Sequence, residues 1–308
     1  MGLGRTDIWQ TGLLHRSMPD ILRAGTLVDT PVTWLPDPGP FRFIADPFGI
    51  WHEDRLYLFA EAYDYRVKVG RIDVFILDRT LNITAHAPVL VEPWHLSYPV
   101  ILRDRDGSFL MMPESGKSGM QRLYRATDFP YRWKEVEGCA FPGPMIDASP
   151  LFHDGRWWLF HTPWHELERP RVDTLHVAWA DSLTGPWHPH PGNPVRRDIH
   201  GARPGGTPVV MDDGTIVLPT QDCARTYGGA ITPLVITTLT TRDFAAHPLP
   251  PLSAPAAWRP ATDGLHTLSA AGPVTLVDAK HTSRSVIRRA GVDIHRMARE
   301  LTRRTLRY

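Results

Sequence analysis

The sequence predicts an all-β protein: a five-bladed β-propeller followed by a short C-terminal helix. Three observations support this fold class. A strand–turn–strand unit recurs five times, and 24 glycines and 30 prolines punctuate the 308 residues with turns. The units begin about 50–60 residues apart, which is a period typical of repeat architectures. Four strands per unit indicate propeller blades, whereas a β-sandwich would have many short strands without this period.

Each unit opens with a short apolar strand, turns on Asp or Gly residues and continues in a strand of alternating polarity. The units begin at Asp46-Pro47-Phe48, Tyr98-Pro99-Val100, Ser149-Pro150-Leu151, Arg203-Pro204 and the segment DGLHTLSAAG (263–272). The stretches that follow the first four units, such as VFILDRTLNITAHAPV (74–89), predict a third strand, a polar turn and an outer strand.

The chain divides into three predicted regions. Residues 1–39 include a strand that closes the ring beside the last blade and so hides the sheet edges. Residues 40–282 form the propeller. Residues 283–308 form a basic helix, because apolar residues from Val292 to Leu301 lie on one stripe among arginines. This helix could dock on a partner protein or an anionic surface, or it could pack on the side of the propeller.

Composition excludes several classes of protein. A formal net charge of +1 argues against a dedicated nucleic-acid binder. Cys139 and Cys223 form neither a disulfide framework nor a metal-binding spacing, so we expect no metal motif and no cofactor. The N-terminus has no signal-peptide pattern, and the chain has no apolar run of about 18 residues that could span a membrane. We therefore expect a cytoplasmic protein that binds a small molecule or a carbohydrate.

The first strand of every blade lines the channel of a propeller, so corresponding positions converge. These positions are occupied by Asp46, Tyr98, Asp147 or Ser149, Arg203 and His266. The second strands end in Glu61, Glu114, His161, Gln221-Asp222 and Lys280-His281, which could lie near the same rim. An ionised carboxylate is costly to bury unless it is paired or faces a cavity. We therefore expect a polar cavity with His95 at the second blade's opening and Tyr227 in a flexible rim loop.

Two motifs resemble the five-bladed superfamily that includes glycoside hydrolase family 43: ADPF (45–48) and IDASP (146–150). That resemblance implies that Asp46 is a base or nucleophile and that Asp147 orients it and tunes its pKa. The family places an acidic Glu in its fourth blade, where this chain has ARPGG (202–206). Glu114 is then the candidate acid. Arg203 either clamps an anionic ligand group or pairs with Asp46 or Asp147.

The same resemblance leaves a calcium ion in the channel open, since a fifth-blade His of related hydrolases helps to hold one. His266 could serve as a base, as a ligand or as a structural residue. Trp94 and Trp164 are candidates for stacking on a sugar ring.

A closer resemblance is to the N-terminal domain of glucosamine inositolphosphorylceramide transferases and its free-standing bacterial relatives. The motifs that carry it are FIADPF (43–48), GRIDVF (70–75), HLSYPV (95–100), MPES (112–115), LYRATDFPYRW (123–133), GARPGG (201–206), QDCARTYGG (221–229) and DGLHTLS (263–269). The resemblance runs nearly end to end and implies the fold. The glycosyltransferase domain of those transferases lies elsewhere in their chains.

Three functions are compatible with these residues. The first is a carbohydrate-active enzyme that uses carboxylate acid/base chemistry on a sugar, aminosugar or cyclitol with an anionic group. The second is a binding domain for a glycan or glycolipid headgroup, without catalysis. The third is a lyase, dehydratase or cyclase of small-molecule biosynthesis that has reused the cavity.

Overall fold

Five β-sheets, one per blade, surround a central channel in the computed structural model, which describes residues 6–164 and 172–284. The predicted fold class is confirmed. Except for its first two residues, the predicted C-terminal helix lies outside the described residues, so its structure and its docking on a partner stay predictions. No helix among the described residues is long and apolar enough to cross a membrane.

The N-terminal segment contains β1 (Thr6–Leu14), α1 (Met18–Ala24) and β2 (Val32–Trp34). Helix α1 begins after Ser17, whose hydroxyl accepts a hydrogen bond from the N–H of Asp20. It ends at Gly25, which adopts the left-handed conformation common at helix C-termini.

The first two blades follow the N-terminal segment in chain order. Blade one contains β3 (Arg42–His52), β4 (Arg55–Asp64), β5 (Val69–Leu77) and β6 (Ile83–Leu90). Blade two contains β7 (Ser97–Arg103), β8 (Phe109–Glu114), β9 (Tyr124–Asp128) and β10 (Arg132–Glu135), with a 3₁₀ turn at Gly116–Ser118.

Blade three has short outer strands, and blade four has a short inner strand. Blade three contains β11 (Met145–His153), β12 (Arg156–Pro163), β13 (Thr174–Ala180), β14 (His188–Pro189) and β15 (Arg196–Arg197). Blade four contains β16 (Val209–Val210), β17 (Ile216–Asp222), β18 (Ala230–Leu239) and β19 (Phe244–Pro248). Its inner strand is short because the GARPGG segment replaces regular pairing there, with a single bridge between Pro204 and Thr220.

Blade five joins the two ends of the described chain. After a 3₁₀ turn at Ala256–Trp258, its inner strands are β20 (Gly264–Ala271) and β21 (Val274–Ser283), and its outer strands are β1 and β2. Strand β1 pairs antiparallel with β21 along its whole length, from Thr6 opposite Ser283 to Leu14 opposite Thr275. Backbone hydrogen bonds between the first and last described strands thereby close the ring.

The core is divided among the contacts between neighbouring blades. One apolar cluster lies at each junction, because the inner strands of each blade present apolar side chains on both faces. Fully buried examples are Leu58, Phe59, Leu159, Leu218 and Leu276. This packing fixes the angle between blades and so sets where their inner strands place polar side chains.

Candidate functional site: a carboxyl-lined cavity in the channel

A cavity of about 320 Å³ occupies one end of the channel. Small-molecule sites commonly measure roughly 300–1,000 Å³. The charged and polar lining residues are Asp46, Glu61, Lys68, His95, Ser97, Glu114, Lys117, Asp147, Arg203 and His266. The aromatic lining residues are Trp9, Phe43, Tyr63, Trp164 and Tyr227. Asp46 and Asp147 therefore share one cavity, as the blade repeat predicts.

A repeated backbone irregularity positions the first-strand residues. Asp46, Tyr98 and Asp147 have φ angles of 50°, 47° and 49°, in the left-handed region that non-glycine residues rarely adopt. Each lies where the register between the first two strands shifts. Such bulges redirect side chains, and strained backbone of this kind is concentrated at functional sites.

On one side of the cavity, His266 lies between two carboxylates. Its Nδ1 is 2.7 Å from Asp278 Oδ1, and its Nε2 is 3.2 Å from Asp46 Oδ1. The hydroxyl of Thr267 also donates to Asp46 Oδ1, and the N–H of Tyr98 donates to Asp46 Oδ2. All of these residues are buried.

Burial raises the pKa of Asp46 to about 6, although the charge of His266 acts in the opposite direction. Burial by itself would lower the pKa of His266. The neighbouring charges of Asp278 and Asp46 outweigh that effect, and the pKa of His266 is raised. This side of the cavity can therefore hold a proton near neutral pH.

On the other side, Arg203 forms a buried ion pair with Asp147, with Nε 2.5 Å from Oδ2. The amide of Gln221 donates to the same carboxylate oxygen at 2.7 Å. Arg203 Nη2 donates to the hydroxyl of Tyr227 at 3.1 Å, and its guanidinium lies 5.0 Å from the centre of that ring. This is one of the two arrangements that the sequence left open for Arg203, and an ion pair does not by itself exclude contact with a ligand.

Glu61 and Glu114 extend into the same cavity from the second strands of blades one and two. They pair with Ala45 and Ser97, the residues directly before the bulges. Burial raises the pKa of both carboxyl groups well above the usual value, and the neighbouring acids raise it further, although Arg203 partly offsets this at Glu114.

His95 stands beside Glu61. Its Nδ1 accepts a hydrogen bond from the N–H of Gly70, so a neutral ring carries its hydrogen on Nε2, which lies 3.5 Å from Glu61 Oε1. Burial, together with the charge of Lys117, lowers the pKa of His95 to about 4, which keeps the ring neutral.

Three predicted ligand-binding residues do not line the cavity. Tyr98 crosses the channel beneath it, and its hydroxyl contacts Ser149 Oγ at 2.8 Å and the backbone of Gly206. Gln221 lies behind Asp147. Asp222 pairs with His200 at 3.2 Å instead. Side-chain direction alternates along a strand, so neighbouring residues such as Gln221 and Asp222 cannot both face the channel.

The two tryptophans that are candidates for stacking on a sugar ring lie in different parts of the molecule. Trp164 lines the cavity, whereas Trp94 packs in the junction of blades one and two, with the Arg122 guanidinium 4.5 Å from its ring centre.

The sequence did not point to Asp278 or Trp9, and it placed Lys280 near the rim, whereas the structure buries Lys280 outside the cavity lining. Both charged side chains are fully buried, and Lys280 Nζ donates to Asp7 Oδ2 at 2.9 Å and to the carbonyl of Tyr227. Trp9 comes from the ring-closing strand and stacks on His266 with ring centres 3.8 Å apart. The available signal was a charged residue inside the apolar strand PVTLVDAKH (273–281).

Two glycines allow the close approaches at this site. Gly206 has φ of 145°, and a Cβ there would lie 1.8 Å from the carbonyl oxygen of Leu268 in blade five. Gly228 has φ of 56°, and a Cβ there would lie 2.4 Å from the Cβ of His266. A larger residue at either position would separate blade four, or its Tyr227 loop, from blade five.

A metal site can be tested against these donors. Among the described residues, Asp46, His266 and Asp278 are the one group of three acidic, His or Cys residues near enough to share an ion. Calcium prefers six to eight oxygen ligands. Here both ring nitrogens of His266 face carboxylates, and the oxygens of Asp278 already accept backbone N–H groups. These residues do not fit direct ligation of calcium.

A family model described as the N-terminal region of glucosamine inositolphosphorylceramide transferase 1 matches residues 33–257. The protein of that name from Oryza sativa subsp. indica is 36% identical over 213 residues, which are 68% of this chain and 28% of the relative. The Arabidopsis thaliana protein of the same name is 33% identical over 209 residues, or 67% and 27%. The chain thus matches little more than a quarter of the length of these relatives.

Solved structures show the same fold at low sequence identity. A family 117 glycoside hydrolase from Zobellia galactanivorans has a TM-score of 0.53 at 14% identity, covering 82% of this chain and 88% of that one. A GH43_1 enzyme from Xanthomonas citri, solved with xylotriose, has a TM-score of 0.51 at 13% identity, covering 71% and 78%.

Proposed function

Because the chain belongs to the family of glucosamine inositolphosphorylceramide transferase N-terminal domains, we propose that it is a carbohydrate-active, glycosidase-like enzyme. Its ligand is a sugar, an aminosugar or a cyclitol that carries an anionic group. The observation that carries the proposal is the combination, in one cavity, of carboxyl groups whose surroundings favour different protonation states. Such a pair is what acid/base chemistry at a glycosidic bond requires.

Asp46 acts as the base in this proposal and Glu114 as the acid. With a pKa of about 6, Asp46 is mostly ionised at neutral pH and can accept a proton from water or from a ligand hydroxyl. Burial and neighbouring acids favour the protonated form of Glu114, which can donate to a leaving oxygen. Asp147 is held by Arg203 as an electrostatic partner and is not needed as a proton donor.

The aromatic walls support a sugar-like ligand. Trp164, Tyr63 and Phe43 line the same cavity as the carboxyl groups, and Phe43 stacks on Tyr63 with ring centres 4.8 Å apart. Flat apolar surfaces next to hydrogen-bonding groups suit a ring that has C–H faces and a hydroxyl perimeter. We propose that Trp164 provides the stacking surface and that Glu61 and His95 bind hydroxyls.

The cations support an anionic group on the ligand. Arg203 uses Nε for Asp147 and Nη2 for Tyr227, and no partner for Nη1 is found within the described residues. Lys68 and Lys117 line the cavity as well. Guanidinium and ammonium groups near a cavity wall favour phosphate or carboxylate.

The test measures binding and turnover separately. Thermal shifts would be compared for glucose 6-phosphate, glucosamine 6-phosphate and inositol 1-phosphate and for their uncharged counterparts. A ligand at 100 times its Kd stabilises the fold by about 2.7 kcal/mol. Turnover of glycosides of these compounds would be followed through the anomeric proton signals. We expect the phosphates to stabilise more than the uncharged compounds.

The variant Glu114→Gln distinguishes a role of Glu114 in catalysis from a role in binding. We expect it to bind as wild type does but to lose turnover by a factor of about 100 or more, the usual contribution of a general acid. Glu53→Gln is the matched control, because that side chain is 80% exposed on a turn outside the cavity. Unchanged turnover in Glu114→Gln would reject the catalytic assignment, and no shift with any compound would reject the ligand class.

A binding domain without catalysis is the second candidate. It is favoured by Arg203, which stands where the resemblance to family 43 places the acid and which cannot donate a proton usefully. In that case the phosphates stabilise the wild type and Glu114→Gln equally, and the anomeric signals never change.

A further inference from the structure

We infer that His266 is the resident cation of the cavity: it is held as an imidazolium between Asp46 and Asp278, in the place where a divalent metal ion could otherwise join the two carboxylates. Asp278 is the residue that positions it. The inference concerns the same cavity as the proposed function, but it does not depend on which ligand binds there.

The hydrogen bonds of Asp278 define the first half of the unit formed by Asp46, His266 and Asp278. Its Oδ2 accepts the N–H of Asp46 at 2.8 Å, and its Oδ1 accepts the N–H of Thr267 at 2.9 Å. Peptide N–H groups can only donate, so both oxygens of Asp278 act as acceptors. Nδ1 of His266, at 2.7 Å from Oδ1, therefore carries a hydrogen.

The hydrogen bonds of Asp46 define the second half. Its Oδ1 accepts the hydroxyl of Thr267 at 3.0 Å, and its Oδ2 accepts the N–H of Tyr98 at 3.2 Å. Both oxygens again have donors, which favours the anion. Nε2 of His266 lies 3.2 Å from Oδ1, within ion-pair distance of this carboxylate. An imidazolium is the form of the ring that carboxylates beside both nitrogens stabilise.

The rest of the surroundings fits a cation. The ring of Trp9 stacks on the imidazole with an interplanar angle of 20°, which suits a flat cation on an aromatic face. The charged and titratable groups near His266 are Asp278 and Lys280 of β21, Asp46 of β3, Asp147 of β11, and Tyr227 and Arg203 of blade four. The ammonium of Lys280 is bound by Asp7, Thr226 and the carbonyl of Tyr227.

Two consequences follow for the cavity. An imidazolium next to Asp46 stabilises its anion where water is scarce, so Asp46 can remain a base after a ligand fills the cavity. Because both nitrogens hold hydrogens, neither has a lone pair for a metal ion. The unit therefore supplies by itself the positive charge that a metal ion would bring.

The experiment is a pH titration of the full chain by ¹⁵N NMR of the histidine side chains. The nitrogen shifts distinguish an imidazolium from either neutral tautomer. We expect one imidazolium signal to persist above the ordinary histidine pKa of about 6.5. His266→Gln assigns that signal by its loss. In Asp278→Asn the same signal should titrate at least about one pH unit lower, because a carboxylate in contact with the ring has become neutral.

Asp73→Asn is the matched control. Asp73 is as buried as Asp278 and bonds a different imidazole, with Oδ2 2.9 Å from Nε2 of His86. It should change the His86 signal and leave that of His266 unchanged. If Asp278→Asn fails to fold, Asp46→Asn is measured instead and should lower the same titration.

Calcium chloride at about 5 mM and EDTA complete the test, since an ion that binds only the folded state raises its Tm. We expect neither to change the Tm or the His266 signal. A neutral His266 in the wild type at pH 7, or a Tm raised by calcium in wild type but not in Asp46→Asn, would overturn the inference. All measurements use the free protein, so failure to bind sugars would reject the proposed function and leave this inference standing.

Discussion

Two carboxylate–cation pairs line the cavity, and they differ in the kind of cation. Asp147 pairs with Arg203 between blades three and four, whereas Asp46 pairs with His266 between blades one and five. A guanidinium keeps its charge at every accessible pH, while an imidazole can gain or lose a proton near neutrality. Of the two cations, only the imidazole of the second pair can therefore exchange a proton in this pH range.

Asp46, Asp147 and Arg203 also take part in a series of contacts that link consecutive blades. Each contact joins a side chain near the cavity to a group of the next blade. The series consists of Asp278 with the N–H of Asp46, Asp46 with the N–H of Tyr98, Glu114 with the N–H of Asp147, and Asp147 with Arg203. Substitutions in the cavity will consequently change the free energy of unfolding as well as any activity, and both have to be measured.

The largest expected effect follows from breaking the Asp147–Arg203 pair. Arg203→Gln leaves the carboxylate of Asp147 buried without its cation, and we expect a loss of about 3–5 kcal/mol in the free energy of unfolding. Urea unfolding at pH 7 measures it. Adding Asp147→Asn should recover part of the loss, because the unpaired charge is removed.

Arg122→Gln is the control for that prediction. Arg122 is largely buried and forms an ion pair with Glu135, but it does not line the cavity. A loss below about 1 kcal/mol in Arg203→Gln, the range of exposed pairs, would show that Arg203 and Asp147 are not a buried structural pair. Arg203→Lys should keep more stability but bind sugar phosphates more weakly, because Lys lacks the planar fork.

The next effect concerns pH. Burial raises the pKa of Glu61 and Glu114, so the folded chain binds these protons more tightly than the unfolded chain. The resulting stabilisation is complete below the ordinary pKa of about 4.3 and is lost as pH rises through the folded values. Gln does not ionise, so a Gln variant does not lose stability in this way as pH rises. We expect Glu114→Gln and Glu61→Gln to become more stable relative to wild type between pH 5 and pH 8. The gain should approach about 1.4 kcal/mol for each pH unit that separates the folded from the unfolded pKa.

The comparison has to be made between variant and wild type at each pH. Burial lowers the pKa of His95 to about 4 and that of His161 to about 3, and these groups contribute the opposite slope. Their stabilisation is present above the ordinary histidine pKa and is lost as pH falls. A difference between Glu114→Gln and wild type that does not change with pH would contradict the raised pKa of Glu114.

The smallest expected effect tests whether the two cations, Arg203 and His266, are independent of each other. Tyr227→Phe removes one hydrogen bond to Arg203 and keeps the ring beside both the guanidinium and His266. We expect a loss of about 1 kcal/mol, the usual value for one hydrogen bond, with an unchanged titration of His266. Tyr131→Phe, at a ring that is 45% exposed, is the control. A changed His266 titration would mean that the two pairs are coupled through Tyr227.

Much of the site could be inferred from the blade repeat. Asp46, Asp147, Arg203 and His266 open their blades and share the cavity, and Glu61 and Glu114 reach it from second strands. The depth of a side chain along the channel could not be inferred. Tyr98 opens its blade in the same way but lies below the cavity. A one-residue shift of register reverses which face a side chain occupies, and the bulges introduce such shifts.

The sequence by itself determined the number of blades, the turns between their strands and the residue types that the inner strands carry, because these depend on local alternation and on a regular spacing along the chain. The tertiary structure alone decided which charges meet. Asp278 bonds the N–H of Asp46, 232 positions away in sequence, and Thr267 bonds its carboxylate from 221 positions away. Such contacts form only when β1 closes the ring, and the pKa of Asp46 depends on them because electrostatic interactions in a buried site are set by distance and by exclusion of water.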